Sequence, residues 1–560
     1  MEQLIAQKEW RNHARKTILS NTQSAKAVHK DLLKAQAAKG EGCRDLLNTR
    51  GGKNAKRDFM RKMQQDNDWP GLYWAEVPFA DLKTGKIIRR KMPFLLPHEW
   101  LPLYMRHEGA RDDLSPQEES VRAHLQKMAA QLRVDLDELV GLGLHGDGVP
   151  INGTLNEDSL EVFNLNMTTS RLHKGMRIPF TMVQLKHCVP DETFEAITDV
   201  LVWSMRCLAT GQKPQLRHDL TPFDSKQDEK RRVSPGQGSL GARAVLVEIR
   251  GDWKWLQALY KFPGYNKLSG LCWRCTCTLK SMRTMDSSSA SWRFQRLTGE
   301  QFLDRLRKEG KKISKLFSLP GVSPDLVFPD WMHSADMGVT MDVIAHVFRE
   351  VLPFYDGDPH QKIKGLFQDI LKYYEIFKVK DRLQTLDTKN FTCSGEGKAN
   401  KMKCKASQAR ALVSFLPLLC EKHFRNGDER QKTIWELTKS LAECYRFLGK
   451  EITEQELKQA SRRLANAYCA LEAEVLLENP DSAHWRIKPK LHLFQELCEF
   501  GARDPRNFWC YMDETFGNVC AILAVRRGGY DNPAHNTENV LNSWCCQTDL
   551  PRPTVPQSNQ

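Results

Sequence analysis

Strand-like patterns of apolar and polar residues occur at four places in the middle of the chain. They cover 139–144, 160–167, 178–183 and 243–249. Short apolar or alternating runs of this length are typical of buried strands. Between the third and the fourth run, apolar residues recur with helical spacing over 191–209 and stop before Gly211, which predicts a helix capped near Asp191.

The order of these elements is strand, strand, strand, helix, strand. Three strands joined by short connections favour antiparallel pairing, whereas a helical crossover returns the next strand parallel to its neighbour. We therefore predict an α/β protein with an RNase H-like core, a mixed sheet in β-β-β-α-β order. A flavodoxin-like fold would alternate strands and helices from its start, which this sequence does not do.

The segments around this core differ in character, and their patterns predict six regions. These are a basic helical arm (1–65), a Trp- and Pro-rich lead-in (66–135), the first part of the core (136–284), a large helical insertion (285–485), the closing segment of the core (486–530) and a disordered tail (531–560). The lead-in predicts a small strand-containing segment over 66–110 and a helix over 115–134. The insertion shows helical spacing over 301–317, 339–352, 361–377, 406–425 and 453–478.

Two acidic residues stand where predicted strands end. Asp147 and Asp252 each follow a glycine just after an apolar run. Two metal ions held by three acids suit phosphodiester cleavage, because one ion activates the attacking water or hydroxyl and the other stabilises the leaving oxygen. The third acid is predicted to be Glu514, with Asp513 as the competing residue, since helical phase does not separate the two. Taken singly, each acid also fits a loop or capping carboxylate.

Cys272 and Cys275 form a Cys-x-x-Cys pair, the spacing at which two thiolates grip one tetrahedral Zn²⁺. The pair supplies half a site, and His492 and His333 are the imidazoles that could complete it. The alternatives are a solvent-facing turn with two ordinary thiols and histidines that are hydrogen-bonded in the core. Asp330 and His333 also suggest hydrolase chemistry, but no nucleophile motif or phosphate-binding loop accompanies them.

Charge and composition predict a binding partner and a cellular compartment. The chain of 560 residues carries a net charge of +14, and residues 1–65 hold 15 Lys and Arg against 6 Asp and Glu, a net charge of +9. Basic segments bind phosphate backbones through counterion release, so DNA is the predicted partner, although a solvated basic helix has the same composition. Further lysines predict an exposed basic loop over 393–405. The 16 scattered Cys favour reduced thiols, and we expect a soluble intracellular protein with no membrane partner.

Taken in order, the motifs resemble those of CACTA (En/Spm-type) DNA transposases over roughly 139–525. The resemblance extends to a domesticated or degenerate relative of that family. The matching elements are Gly146-Asp147-Gly148-Val149-Pro150, Ser159-Leu160-Glu161-Val162-Phe163, Gly251-Asp252-Trp253-Lys254, Phe262-Pro263-Gly264-Tyr265, Cys272-x-x-Cys275, Asp330-Trp331-Met332-His333, Lys488-Pro489-Lys490-Leu491-His492, Phe500-Gly501 and Trp509-x-x-Met512-x-Glu514.

The resemblance implies an RNase H-like catalytic domain in which a long helical insertion separates the second acid from the third. It implies Asp147, Asp252 and Glu514 as the acid triad, holding Mg²⁺ or Mn²⁺. In related transposases, zinc is held by the Cys pair and by two histidines shortly before the final Glu.

This sequence departs from the family pattern in two places. His492 is present, but Ile487 stands five residues earlier, which leaves the fourth zinc ligand open among His484, His333 and water. Many relatives carry a histidine soon after the final Glu, whereas Gly517-Asn518 follows here.

The implied function is strand cleavage at transposon ends, followed by attack of the freed 3′-hydroxyl on target DNA, in the nucleus. Transposases often act as dimers, so a homodimer is an expected assembly, although no heptad run supports it. Two rival functions fit the same residues. One is a catalytically inactive, transposase-derived DNA-binding protein, and the other is a zinc-stabilised helical interaction scaffold.

Overall fold

The structure is a computed structural model. It describes residues 69–151, 159–223, 225–232, 238–262, 264, 270–284, 286, 288–391, 401–501, 503–527 and 532–551. The predicted basic arm over 1–65 lies outside the described residues, as do 393–400 of the predicted lysine loop. The chain divides into two compact units. In the described residues, unit 1 runs to Val247 and adds Ser318–Gly321 and the residues from Glu514 onward, while unit 2 comprises Glu248–Phe317 and Val322–Asp513.

The described part of unit 1 begins with an antiparallel hairpin and three helices. Its strands are β1 (Tyr73–Ala80) and β2 (Ile87–Phe94). The helices are α1 (Pro97–Met105), α2 (Ala110–Asp113) and α3 (Glu119–Leu132). The strand-containing segment predicted over 66–110 and the helix predicted over 115–134 are therefore confirmed.

In the described residues, four further strands form one sheet in the order β5-β4-β3-β6. They are β3 (Leu139–Pro150), β4 (Ser159–Asn166), β5 (Arg177–Gln184) and β6 (Arg243–Gly251). The pairs β3–β4 and β4–β5 are antiparallel. Because the sheet is mixed, the remaining pair, β3 and β6, is parallel. The predicted strands and the mixed sheet are confirmed, and the protein is a mixed α/β protein.

Helix α4 (Glu192–Thr210) connects β5 to β6 and matches the helix predicted over 191–209. It ends at Gly211, whose φ of 68° lies in the left-handed region where a residue without a Cβ is favoured. The strands of the sheet are buried along almost their whole length, because helices such as α3 cover the sheet. This explains the apolar runs over 139–144 and 243–249.

Unit 2 is mainly helical, as predicted for 285–485. Its helices in the described residues are α5 (Trp253–Tyr260), α6 (Gly299–Lys308), a π-helix (Met332–Thr340), α7 (Met341–Val351), α8 (Pro359–Ile376), α9 (Ala406–Leu412), α10 (Phe415–Phe424), α11 (Glu429–Arg446), α12 (Glu454–Glu478) and α13 (Pro489–Phe500). α13 packs against both α12 and the π-helix, and this packing positions most of the site described below.

Two helices close the chain, α14 (Tyr511–Arg527) and α15 (Pro533–Gln547). The disordered tail predicted from 531 onward is therefore wrong for α15. Asn532 caps this helix by accepting a hydrogen bond from the backbone N–H of His535, and Trp544 packs its ring 4.9 Å from that of Trp69. Among the described residues, no helix combines the length and the apolar character needed to cross a membrane.

Candidate functional site

The first predicted acid, Asp147, lies within β3 rather than after it. β3 continues to Pro150, and Asp147 stands opposite Val162 of β4. Its carboxylate is buried and accepts a hydrogen bond of 2.8 Å from the backbone N–H of Gly148. A strand thus holds this carboxylate rigidly.

Glu514 belongs to the same unit as Asp147, on the helix α14. Gly517 of α14 lies so close to β3 that a Cβ built there would come 2.5 Å from Cγ2 of Val149. Val149 and Asp147 are two residues apart in one strand and therefore share a face of the sheet. Glu514 precedes Gly517 by three residues, which places the two on the same side of the helix. Unit 1 therefore brings Asp147 and half-buried Glu514 to one face of its sheet.

The competing acid, Asp513, has a different environment in unit 2. It is 1% exposed and forms an ion pair of 3.4 Å with Arg250, which also pairs with Glu248. Glu248 in turn binds Arg503 at 2.7 Å. Asp513 is thus part of a buried network of ion pairs, and the arginines of this network balance its negative charge without a metal ion.

The second predicted acid, Asp252, is the first residue after β6 and the N-cap of α5. One carboxylate oxygen accepts a hydrogen bond of 2.6 Å from the backbone N–H of Trp255. The cap fixes the carboxyl group at the strand end, as expected for a side chain of this type. Asp252 is half-buried and lines a pocket of unit 2 together with Asp330, His333 and Lys490.

Asp330 and His333 form a fixed pair in this pocket. Oδ2 of Asp330 accepts hydrogen bonds of 2.8 Å from both the backbone N–H and Nδ1 of His333. Oδ1 of Asp330 accepts a third hydrogen bond, of 2.9 Å, from the backbone N–H of Cys510. A carboxylate bound to Nδ1 fixes the orientation and the tautomer of the imidazole. Donor atoms of Asp330, His333 and Cys510 lie within 4.8 Å of one another.

Lys490 completes the pocket from the start of α13. Burial lowers the pKa of Lys490 to about 8, and the positive charge of Lys401 adds to that shift. Three carboxylates oppose the shift, those of Asp342, Asp252 and Asp330. Among the described residues, Lys490 has no hydrogen-bonded or ion-paired partner. A cation with these neighbours is placed to meet an anion that enters the pocket.

A second, closed cluster in unit 2 contains the Cys-x-x-Cys pair. Donor atoms of Cys272, Cys275, His492 and Glu496 lie within 4.8 Å of one another, and all four residues are at most 1% exposed. Sγ of Cys275 is 3.4 Å from Nε2 of His492, which is 3.5 Å from Oε1 of Glu496. A tetrahedral Zn²⁺ with bonds of about 2.0–2.3 Å separates its donors by roughly 3.3–3.8 Å. Both distances given above lie in this range, and the four donors are close enough together to be candidate ligands of one metal ion.

Two backbone N–H groups donate hydrogen bonds to the sulfur atoms of the Cys pair, but burial favours the uncharged thiols. The backbone N–H of Arg274 donates to Sγ of Cys272 at 3.3 Å, and that of Cys277 donates to Sγ of Cys275 at 3.4 Å. Burial raises the pKa of the Cys272 thiol well above its usual range, and also that of Cys275, so that the metal-free protein holds thiols rather than thiolates.

Glu496 lies one helical turn after His492 on α13 and pairs with an arginine. Arg296 donates hydrogen bonds of 2.6 and 2.7 Å to its two oxygens. Burial acts to raise the pKa of Glu496, but the hydrogen bonds from Arg296, together with nearby positive charges that include those of Arg296 and Arg274, outweigh it and hold the pKa below its usual range. Two thiolates and one carboxylate would then be balanced by one Zn²⁺ and one guanidinium.

The structure separates the other histidines that the sequence offered as zinc ligands. His333 is held by Asp330 in the pocket described above. His484 lies in another cluster, where Nε2 is 2.7 Å from Glu350 and Nδ1 is 3.0 Å from Nδ1 of His346. Of the histidines named from the sequence, the structure groups only His492 with the Cys pair.

Sequence reasoning missed two residues of these clusters, Glu496 and Lys490. Glu496 follows His492 by four residues, a spacing that places both on one face of a helix and that could have identified it. Lys490 stands inside the Lys-Pro-Lys-Leu-His segment, but no pattern distinguishes it from a surface lysine. No protein-family model matches the chain, and no curated protein matches it either.

Proposed function

We propose that the protein is a transposase-like enzyme that cleaves and joins DNA phosphodiester bonds by two-metal catalysis on an RNase H-like fold. Asp147, Asp252 and Glu514 would be the acids that hold Mg²⁺ or Mn²⁺. One observation supports this proposal above all. β3 and β6 are parallel neighbours in one sheet, with Asp147 near the carboxyl end of β3 and Asp252 directly after β6. Carboxyl ends of parallel neighbours lie at one edge of a sheet.

The fold supports this proposal at the level of strand order. In the described residues the sheet has the order third, second, first, fourth strand, and a single helix, α4, crosses between the third and the fourth. This is the arrangement expected of an RNase H-like core. The helical stretch α6–α12 would be the insertion between the second and the third acid.

The environments of the two candidate third acids support Glu514. Asp513 is paired with Arg250 in a buried network, whereas Glu514 lies on the helix face that approaches the strand of Asp147. Aspartate and glutamate carboxylates are hard oxygen donors of the kind that Mg²⁺ and Mn²⁺ prefer. When bound, the ions would activate the attacking oxygen and stabilise the leaving oxygen. The protein itself would hold and orient the strand.

The same proposal includes one structural Zn²⁺ in the closed cluster. Cys272, Cys275, His492 and Glu496 would hold it, with the carboxylate in the place that a second histidine has in related transposases. This ligand set has the donor types, the burial and the spacing that suit zinc. The ion would tie α13 to the Cys-x-x-Cys turn.

The experiment is a nicking assay on supercoiled plasmid in Mn²⁺ with the full chain. Asp147→Ala should abolish metal-dependent nicking while leaving DNA binding largely intact, because the carboxylate acts on the metal and not on the phosphate backbone. Asp112→Ala is the matched control, since Asp112 is an exposed aspartate of the same unit. Equal nicking by the wild type and Asp147→Ala would refute the assignment.

The rival function predicts a different result in the same assay. A transposase-derived DNA-binding protein without catalysis would bind plasmid but show no Mn²⁺-dependent nicking in the wild type. Titration calorimetry with Mn²⁺ distinguishes the two functions further. An active site should bind Mn²⁺ and release or absorb heat, and Asp252→Asn should remove this heat of binding.

A further inference from the structure

The pocket of unit 2 combines groups of opposite charge in a way that metal binding alone does not explain. Asp252 and Asp330 face the same pocket as His333 and Lys490. Carboxylates attract divalent cations, but a lysine placed among them weakens that attraction. A ligand that carries both a metal ion and an anionic group would use all of these residues.

His333 is oriented by its neighbours rather than by chance. Asp330 is fixed by three N–H donors, one of which is Nδ1 of His333. Because Nδ1 is turned to the carboxylate, the opposite nitrogen, Nε2, is the atom that the imidazole can present to a ligand. The side chain of His333 is only 15% exposed, so its ring has little freedom to turn away.

Lys490 is held from the opposite side by the π-helix that carries His333. A Cβ built at Gly338 would lie 3.0 Å from Cδ and 3.1 Å from Cβ of Lys490. The aliphatic part of the lysine thus lies directly against Gly338, and a larger residue there would push the lysine side chain by a few tenths of an ångström. A single π-helix, of a kind that recurs at functional sites, therefore both carries His333 and borders the side chain of Lys490.

We propose that Lys490 and His333 bind a phosphodiester group of the nucleic-acid strand, next to the phosphate on which the metal ions act. The inference rests on the proposed function and names the protein's own contacts to its substrate. Lys490 supplies an ammonium that has no partner among the described residues, and Lys401 adds positive potential nearby. The carboxylates repel a bare phosphate, so binding would need a divalent cation, for which Asp252 would supply a carboxylate oxygen.

The test measures binding of thymidine 3′,5′-bisphosphate to the full-length, zinc-loaded protein by titration calorimetry in Ca²⁺. This probe carries the phosphates on either side of one nucleoside, and Ca²⁺ supports phosphate bridging. The dissociation constant should rise about tenfold in Lys490→Gln, as expected for one lost contact between a cation and a phosphate. Lys490→Arg should stay within about twofold of the wild type, because the charge is kept.

A matched control is Lys432→Gln, which removes one positive charge elsewhere in unit 2. Lys432 is exposed and pairs with Glu429 at 2.8 Å. The dissociation constant of the Lys432→Gln variant for the bisphosphate should equal that of the wild type. Equal constants for Lys490→Gln and Lys432→Gln would overturn the inference, as would undiminished binding by the wild type in EDTA.

His333→Asn provides an independent variant, because Lys490 is two residues from His492 and its replacement could disturb the zinc cluster. It should weaken binding severalfold, and His333→Gln, which returns an N–H group to the place of Nε2, should recover part of the loss. Binding unchanged in His333→Asn would contradict the role of the imidazole.

The outcomes also separate this inference from the proposed function. If the bisphosphate binds through Lys490 but the wild type does not nick plasmid, the phosphate pocket stands and the nuclease proposal fails. If nicking depends on Asp252 but Lys490→Gln binds the bisphosphate as well as the wild type, the nuclease stands and the phosphate pocket fails.

Discussion

Two clusters of residues whose side chains are of metal-ligating types lie in the same unit, and they differ in burial and in the donor atoms they offer. The zinc-type cluster of Cys272, Cys275, His492 and Glu496 is at most 1% exposed, and its donors include soft sulfur atoms. The pocket around Asp252 is open to solvent, and its acidic groups offer hard oxygen atoms. Structural metal sites are closed, whereas catalytic sites keep a position for water or substrate.

The difference indicates that the two clusters have different roles, one in stability and the other in binding and activity. Under our proposal, a metal ion in the closed cluster would stabilise the packing of α13 against the Cys-x-x-Cys turn. The open pocket contains Lys490, which has no hydrogen-bonded or ion-paired partner among the described residues, and under our proposal its role is to bind a ligand rather than to stabilise the fold. If this division holds, variants of the first cluster should lower stability, and variants of the second should lower activity while the fold remains.

The largest expected effect is on the closed cluster. Cys275→Ser should remove bound zinc and lower the free energy of unfolding by roughly 5 kcal/mol, because the energy of structural zinc binding is folding energy. Metal analysis and chemical denaturation measure the two changes. Cys404→Ser, at a half-buried thiol of the same unit, is the control and should keep its zinc. Full zinc content in Cys275→Ser would break the division between the clusters.

The open pocket should respond in the opposite way. Asp252→Asn should lower the rate of plasmid nicking about a thousandfold, equivalent to about 4 kcal/mol of transition-state stabilisation, because the metal loses a charged ligand. Asparagine still caps α5, so we expect the free energy of unfolding to change by less than about 1 kcal/mol. A large loss of stability together with retained nicking would assign Asp252 to the structure instead.

Adjacent acids on α14 sharpen the same contrast. Asp513→Asn should destabilise the protein by about 3 kcal/mol, because it breaks a buried ion pair and leaves two arginines, Arg250 and Arg503, to share the single carboxylate of Glu248. Glu514→Gln should leave stability nearly unchanged and abolish nicking. Thermal unfolding and the plasmid assay, applied to both variants, measure the two effects. The reverse outcome would make Asp513 the third acid.

The local parts of the fold were predictable because local patterns determine them. The strands and α4 follow from apolar runs and from a glycine that ends the helix. The sequence placed Asp147 after its strand, because polar Gly-Asp-Gly residues look like a turn, whereas pairing with β4 extends β3 to Pro150. α15 was missed because its stability comes from contacts over a long sequence distance, such as that between Trp544 and Trp69.

The candidate site shows the same limit more strongly. Cys272, Cys275 and His492 were named from spacing and resemblance, and the structure groups them. Glu496 was overlooked because a second histidine was expected, and a glutamate on a helix is usually a surface residue. The pKa of Lys490 depends on burial and on carboxylates that are distant in sequence but near in the fold, and no sequence pattern displays either.

Proton release should give the smallest effect and still separate the clusters. Burial raises the pKa values of both thiols in the metal-free protein, so each Cys must lose a proton when zinc binds. Below those pKa values zinc affinity therefore rises with pH, by about a hundredfold or 2.7 kcal/mol per pH unit for two protons. Chelator competition between pH 6.5 and 7.5 measures the slope, and calorimetry in buffers of different ionisation enthalpy counts the protons. The low pKa of Glu496 means that the carboxylate releases no proton in this pH range.

A slope close to zero would show that the thiols are already ionised before zinc binds. The closed cluster would then resemble the open pocket, because both would hold charged ligands before a metal ion binds.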